Sequence, residues 1–341
     1  VATLVCAFFT TFTGASGVTI LALGALLAFI LVENRYPRSF SVGLLTGSGS
    51  IGLLFPPSLP IILYSVVSNL SMNVGAEYRV DIKQMFIGGL IPGALMVGTV
   101  AALGIRTAVK SDTVKTPFAP RKALKALGAS AGEILLPVLI LAMFFSGFTT
   151  LVETAAIAVL FTLVLEMVIH RDIKVRSLPG VVARCVPMIG GVLIILAIAR
   201  GLSYFIIDAQ IPMQLAEWTS THVHSKYVFL LVLNLALLIT GCFMDIFSAI
   251  MVVVPLILPI GEAFGIHPVH LGIIFLANLE LGYMTPPVGI NLFLSSYRFE
   301  EPLVKVYRHV LPFLIALLVT VLLITYVPWL TTGLLRVFGL E

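Results

Sequence analysis

Two proline pairs constrain this chain more than any other feature. Each lies inside an apolar run, and each follows a glycine by four positions: Gly52-Leu53-Leu54-Phe55-Pro56-Pro57 and Gly282-Tyr283-Met284-Thr285-Pro286-Pro287. Proline has no N–H, and its ring clashes with the carbonyl four residues back. Pro56 and Pro57 therefore strip the helical partners from Gly52 and Leu53, and Pro286 and Pro287 strip them from Gly282 and Tyr283. Two runs long enough to be membrane helices are broken in their middles, and bare carbonyl oxygens are expected there. At membrane depth such groups are tolerated only when buried in protein or lining a polar cavity. A matched pair of interrupted segments in the two halves of a chain points to a transporter's binding site.

The composition sets the setting for those breaks. Of 341 residues, 59% are hydrophobic and 11% charged, against roughly 25% charged in a soluble domain. The expected class is an all-α polytopic membrane protein in contact with lipid. The net charge of +4 is spread over loops and speaks to topology rather than to nucleic acid. Cys6, Cys185 and Cys242 are far apart without a CxxC pair, so neither disulfide nor metal chemistry is indicated. Val1 falls in mid-helix, which leads us to expect a preceding N-terminal part.

In chain order, apolar arms Val1–Phe12 and Val18–Val32 flank the small polar patch Thr13-Gly14-Ala15-Ser16-Gly17. At 1.5 Å per residue the arms reach about 18 to 24 Å, short of a roughly 30 Å hydrocarbon core, which predicts a re-entrant hairpin. A broken helix follows over Ser41–Asn69. Spans are predicted at Gln84–Ile105, Glu133–Phe145, Thr150–Ile169 and Cys185–Ile207, with an interfacial amphipathic stretch at Lys115–Ser130. The plan then repeats. Arms Tyr227–Ile239 and Ile246–Ile260 flank the tip Thr240–Asp245, a broken helix covers Val269–Tyr297, and one long span covers Val310–Val327. This divides the chain into repeat 1 of a transport domain (1–69), connecting and scaffold helices (70–226), repeat 2 (227–297) and a final helix with its tail (298–341).

Loop charge orients the copies. The loop after Ile105 carries Arg106, Lys110, Lys115, Arg121, Lys122 and Lys125 against Asp112; the loop after Ile169 carries Arg171, Lys174, Arg176 and Arg184 against Asp172. Both should be cytoplasmic. Loops Ser71–Lys83, Ser146–Thr149 and Asp208–Lys226 lack that excess and fit the outside. An odd number of crossings then separates the hairpins, which makes the repeat inverted.

A hard cation such as Na⁺ takes oxygen ligands, which broken helices and hairpin tips can supply. In the first copy the candidates are Gly14 and Ser16 with Gly52 and Phe55, together with Ser48 or Ser50. In the second they are Thr240, Gly241 and Asp245 with Gly282, Met284 and Thr285. A carboxylate at membrane depth, about 2.5 to 3.5 kcal/mol unfavourable on insertion scales, usually serves ion or proton chemistry; alternatively Asp245 caps the helix that follows it. Donors for a carboxylate substrate would be Ser48, Ser50, Ser58, Asn278 and Asn291, with half-helix N-termini. Arg200 could form a bidentate pair with an acid, or else pair with Glu153 or Asp208 or snorkel outward. Glu280 shows no partner in the sequence. His222 and His224, and His267 and His270, fall at outer boundaries and read as interfacial. The glycine-rich run Thr46–Gly52 has no lysine of a phosphate-binding loop, so no nucleotide is expected.

The strings Phe12-Thr13-Gly14-Ala15-Ser16-Gly17, Gly43-Leu44-Leu45-Thr46-Gly47-Ser48-Gly49-Ser50, Pro56-Pro57-Ser58-Leu59-Pro60 and Leu281 to Phe293 resemble the large membrane subunit of tripartite ATP-independent periplasmic (TRAP) transporters. The similarity runs over nearly the whole chain, although that subunit normally has additional N-terminal helices. The resemblance implies a multi-pass protein of the bacterial inner membrane. It would import a small organic acid, such as a C4-dicarboxylate or sialic acid, by a sodium-driven elevator movement. It implies a small four-helix membrane subunit and a periplasmic substrate-binding protein as partners. It further implies two or more sodium sites, one between Ser16 and the Gly52–Pro56 break and another between Asp245 and the Gly282–Thr285 break. Proton coupling through Asp245 is the alternative. A passive channel fits discontinuous helices less well, an intramembrane enzyme lacks a nucleophile and base at one depth, and a pure scaffold would leave the carbonyls without polar partners.

Overall fold

The computed structural model describes residues 1–70, 78–111, 113 and 119–340. Much of the loop from Ser71 that the sequence assigned to the outside, and the start of the stretch from Lys115, lie outside the described residues. Every described element is helical. The chain forms two compact units, Val1–Val114 with Leu196–Glu341, and Lys115–Ile195.

In the first unit the opening hairpin is α1 (Ala2–Thr13) and α2 (Ser16–Glu33). Gly14 closes α1 in the left-handed region, φ 64°, which glycine adopts without a Cβ clash. The first broken helix is α3 (Arg38–Ser48), a 3₁₀ turn over Ile51–Leu54, and α4 (Leu59–Leu70). Its two limbs bend by 44°. The next helix, α5 (Ile82–Lys110), starts from a capping box of Asp81 and Gln84, which satisfies orphan N–H groups reciprocally.

The second unit contains α6 (Pro120–Ala129), α7 (Ala131–Ser146) and α8 (Leu151–Val164), the last starting from a Thr150–Glu153 capping box. From this unit α9 (Leu178–Asp208) leads back into the first.

There α10 (Ile211–His222) is a helix in what the sequence suggested was an outer loop. It begins with Pro212 in its first turn, where the missing N–H is not needed, and it packs against the helix that follows the second tip. The second hairpin is α11 (Lys226–Phe243) and α12 (Ile246–Ala263). Its arms, like α2, are longer than the sequence suggested, because polar residues continue the helix: the Thr240 hydroxyl donates to the Ala236 carbonyl at 2.9 Å. The second broken helix is α13 (Pro268–Gly282) and α14 (Ile290–Phe299). The final span α15 (Leu303–Tyr326) starts seven residues before the expected Val310, and α16 (Trp329–Val337) follows it.

Among the described residues, six helices are long and apolar enough to cross a membrane, before the bent pairs are considered. Packing within the first unit is reciprocal. The outgoing arm α2 lies on α14, and α12 lies on α4; α3 packs on α15, and α13 on α5. Each hairpin therefore covers the second half of the other copy's broken helix. The core sits around α13, whose fifteen residues are all buried.

Candidate functional site

Each break is pressed against the incoming arm of its own hairpin, and glycine is required for that approach. A Cβ on Gly52 would stand 2.1 Å from the Ala7 carbonyl oxygen, and one on Gly282 would stand 2.6 Å from Gly241 Cα. The carbonyls freed by the prolines are not bare. Gly52 O accepts from Phe55 N at 3.1 Å and from the Thr11 hydroxyl at 3.0 Å, and the Ser58 hydroxyl donates to Leu53 O. In the second break Gly282 O accepts from Thr285 N at 2.9 Å, Tyr283 O from Asn291 N at 3.0 Å, and Thr285 O from Cys242 Sγ at 3.1 Å. The expectation of exposed oxygens is corrected on this point, since buried main-chain groups are almost always paired.

The two hairpin tips meet. A cavity of about 320 Å³ is lined by Gly14, Ala15, Ser16 and Gly17 from the first tip and Asp245, Ile246 and Phe247 from the second, with Leu53 and Tyr283 from the breaks and Ile290 and Leu294 from α14. Ser16 Oγ donates to Asn291 Oδ1 at 2.8 Å, tying the first tip to the second broken helix. Asn291 is fully buried, and its amide nitrogen has no partner among the described residues. No side chain caps α2, because Ala15 occupies its N-cap. The first-turn N–H groups and dipole of α2 therefore lie beside the cavity wall, a favourable place for negative charge.

Asp245 occupies the corresponding place on α12 and is its N-cap. Its Oδ2 accepts from Phe247 N at 3.0 Å and Ser248 N at 3.3 Å, and Oδ1 accepts from the Ser248 hydroxyl. The capping role is thus present, and the half-buried carboxylate also lines the cavity. Tyr283 faces the Ile246 main chain and the Asp245 carboxylate.

The other candidates divide. Gly241 and Gly282 touch each other, and Cys242 joins Thr285, so the second tip and break are packed together, but of this set Asp245 is the member that lines the cavity. Met284 is buried within the break. The Thr240 hydroxyl is turned back along its own helix. In the first set Gly14 and Ser16 are on the cavity, but both Gly52 and Phe55 carbonyls are engaged, the latter by Ser58 N at 3.0 Å. Ser48 donates to Leu44 O at 2.7 Å and Ser50 to Glu280 O at 3.4 Å, both fully buried. With Ser58 likewise engaged, these three serines brace the break rather than line the cavity.

Asn278 lies in a different place. Its amide donates to Asn234 Oδ1 at 2.7 Å, which also accepts from Thr325 Oγ1 at 3.0 Å. His270, expected at an interface, is 1% exposed and continues this network through Thr331 at 2.8 Å and the Thr325 carbonyl at 3.1 Å. These bonds tie α13 to α11, α15 and α16. Glu280 is fully buried, with neither carboxyl oxygen partnered among the described residues. Arg200 falls in α9, and its side chain is outside the described residues.

Sequence reasoning missed Thr10, Thr11, Tyr283, Phe247 and Asn234. Thr11 had a usable signal, since it stands three residues before the tip glycine, one helical turn from it on the incoming arm.

Residues 1–330 match the model of the tripartite ATP-independent periplasmic transporter DctM component. The chain belongs to the TRAP transporter large-permease family. Among its relatives, the C4-dicarboxylate TRAP transporter large permease protein DctM of Pseudomonas aeruginosa is 33% identical over 100% of this chain and 78% of that protein. The sialic acid TRAP transporter large permease protein SiaM of Vibrio cholerae is 30% identical over 96% of this chain and 75% of that protein. The crystal structure of the Alcanivorax borkumensis YdaH transporter superposes with a TM-score of 0.70 at 15% identity, covering 98% of this chain and 78% of that one. That likeness concerns the fold. The chain is a multi-pass permease of the bacterial inner membrane, not an enzyme.

Proposed function

We propose that this TRAP permease imports a small organic acid, a C4-dicarboxylate or sialic acid being the chemistry named for its relatives, coupled to Na⁺ and by an elevator movement. The observation that carries this reading is the cavity between the tips. Its volume lies at the low end of small-molecule sites. One wall offers the uncapped N-terminus of α2 to a carboxylate, with Ser16 on that wall held by the buried Asn291, while the other presents Asp245. Apolar Leu53, Ile246, Phe247 and Leu294 fill the remainder.

For the cation, the Asp245 carboxylate on the cavity is the principal oxygen donor, and the nearby carbonyls of Gly282 and Thr285, each already accepting one hydrogen bond, keep a second lone pair that suits a hard ion. A carboxylate has about four lone-pair sites, and the three donors on Asp245 leave capacity for a metal. Gly14 and Ser16 are what remains for a first-copy site. The tips, the broken helices and the reciprocal packing support two inverted copies that form the moving body, with the connecting helices as scaffold. A small four-helix membrane subunit and a periplasmic substrate-binding protein complete the system in this reading.

Uptake by proteoliposomes containing the permease and both partners tests it, with sodium and proton gradients imposed separately. Accumulation with an inward sodium gradient and none with ΔpH alone is expected; uptake driven by ΔpH alone would overturn sodium coupling. The inverted arrangement is tested separately, because cysteines placed at Ser111 and Ser177 should resist labelling from outside.

A further inference from the structure

A second cluster lies in the other unit, at the charged end of the α7–α8 hairpin. After Val164 the helix widens into a π turn, Leu165–Ile169, that carries Glu166 and leads to His170. Glu166 and His170 are four positions apart and lie on one side of it. The chain then reverses through Arg171 at φ 62°, and Glu166 O accepts from Asp172 N at 2.9 Å, so Asp172 returns beside Glu166. One ligand atom from each of Glu166, His170 and Asp172 lies within 4.8 Å of the others.

A fourth group arrives from α7. His170 Nδ1 is 3.6 Å from Glu133 Oε1 and 4.0 Å from Glu166 Oε1. The two helices are held close there, because a Cβ on Gly132 would stand 2.4 Å from a Leu165 methyl. Among the described residues, no lysine or arginine stands within ion-pair distance of these carboxylates, and Arg171 turns its Nε toward the Val168 carbonyl at 3.4 Å. Three carboxylates thus converge on one imidazole without a fixed cationic side chain.

We propose that Glu166, His170 and Asp172, joined by Glu133, form a binding site for a divalent transition-metal ion that clamps α7 to α8. Mixed imidazole and carboxylate ligation suits Zn²⁺, Co²⁺, Mn²⁺ or Fe²⁺, and ligand atoms this close need only small rotamer shifts to meet at bonds of about 2.0 to 2.2 Å. The ion neutralises the carboxylates and crosslinks the two helices at the end where no cap joins them. This site is independent of the tip cavity and of the coupling ion.

The full chain, purified into lipid nanodiscs without a polyhistidine tag and stripped with chelator, is titrated with Co²⁺ and Zn²⁺. We expect about one Co²⁺ per chain with visible d–d bands, displaced by Zn²⁺, and a metal-dependent rise in thermal midpoint. His170→Ala with Asp172→Asn should weaken binding by at least tenfold and abolish that rise, whereas His222→Ala should change neither. Glu133→Gln, at a half-exposed position, should weaken binding roughly tenfold. No Co²⁺ bound at micromolar concentration by the wild type, or equal affinity in the wild type and both sets of variants, overturns the proposal.

Discussion

The two breaks have one geometry and different chemistry. In the first, the incoming arm reaches the break with hydroxyls, as Thr11 bonds Gly52 O and Thr10 lies 2.9 Å from Gly49 O. In the second it arrives with Gly241 and Cys242, main chain against main chain, and a thiol takes the hydroxyl's part at Thr285 O. The tips differ in the opposite sense: Ala15 leaves α2 uncapped, and Asp245 caps α12. One copy spends its polar side chains on the break and keeps a bare helix end. The other packs its break tightly and keeps a carboxylate at the tip. The cavity therefore has one wall suited to an anion and one suited to a cation, although the two copies follow the same plan.

Adding a methyl at the contact glycines is the most severe way to break that comparison. Gly52→Ala drives a Cβ into the Ala7 carbonyl, and Gly282→Ala drives one into Gly241, so each should lose about 1 to 3 kcal/mol or more from overpacking and most uptake. Thermal unfolding in detergent and uptake measured together check this; wild-type behaviour of either variant would show that its break is not clamped. Asp245→Asn comes next and separates cap from ligand. Asparagine caps nearly as well, so stability should stay within about 0.5 kcal/mol while sodium-dependent uptake falls at least tenfold. Retained sodium dependence would leave Asp245 as a cap alone.

Asn234→Leu should destabilise the protein by about 1 to 2 kcal/mol by removing the bonds that Asn278 and Thr325 make between helices, each keeping a carbonyl of its own helix, with unchanged substrate preference among the molecules still folded. A changed preference would return Asn278 to the substrate site. The smallest effect belongs to Thr11→Val, about 1 kcal/mol for one hydrogen bond, with the second break undisturbed. In the same range, Ser16→Ala should lower uptake less than Asp245→Asn does; the reverse order would overturn the asymmetry between the tips.

Much of the plan was legible because it rests on local physics. Proline in an apolar run must break a helix, so both broken helices and both tips stood out, and Asp before Ile246 could be read as a cap. Serines and asparagines could not be sorted in the same way. Ser48, Ser50, Ser58 and Asn278 share polar character and neighbourhood with Ser16, and only packing decides which faces a cavity and which satisfies a buried group. His270 misled for a similar reason. Its place near a helix start suggested an interface, whereas Thr325 and Thr331, more than fifty residues away, provide the partners that let it be buried.

By itself the sequence determined the all-helical membrane class, the two proline-enforced breaks, and the repeated order of hairpin and broken helix. Those follow from apolar length and a missing N–H, which act within a few residues. The tertiary structure alone decided that each outgoing arm lies on the other copy's broken helix, that Ser16 reaches Asn291, and that the freed carbonyls are closed by Thr11 and Ser58 in the first break and by the Thr285 and Asn291 main chain in the second. These depend on which surfaces bury each other across the chain, and a buried polar group takes whatever partner that packing brings within about 3 Å.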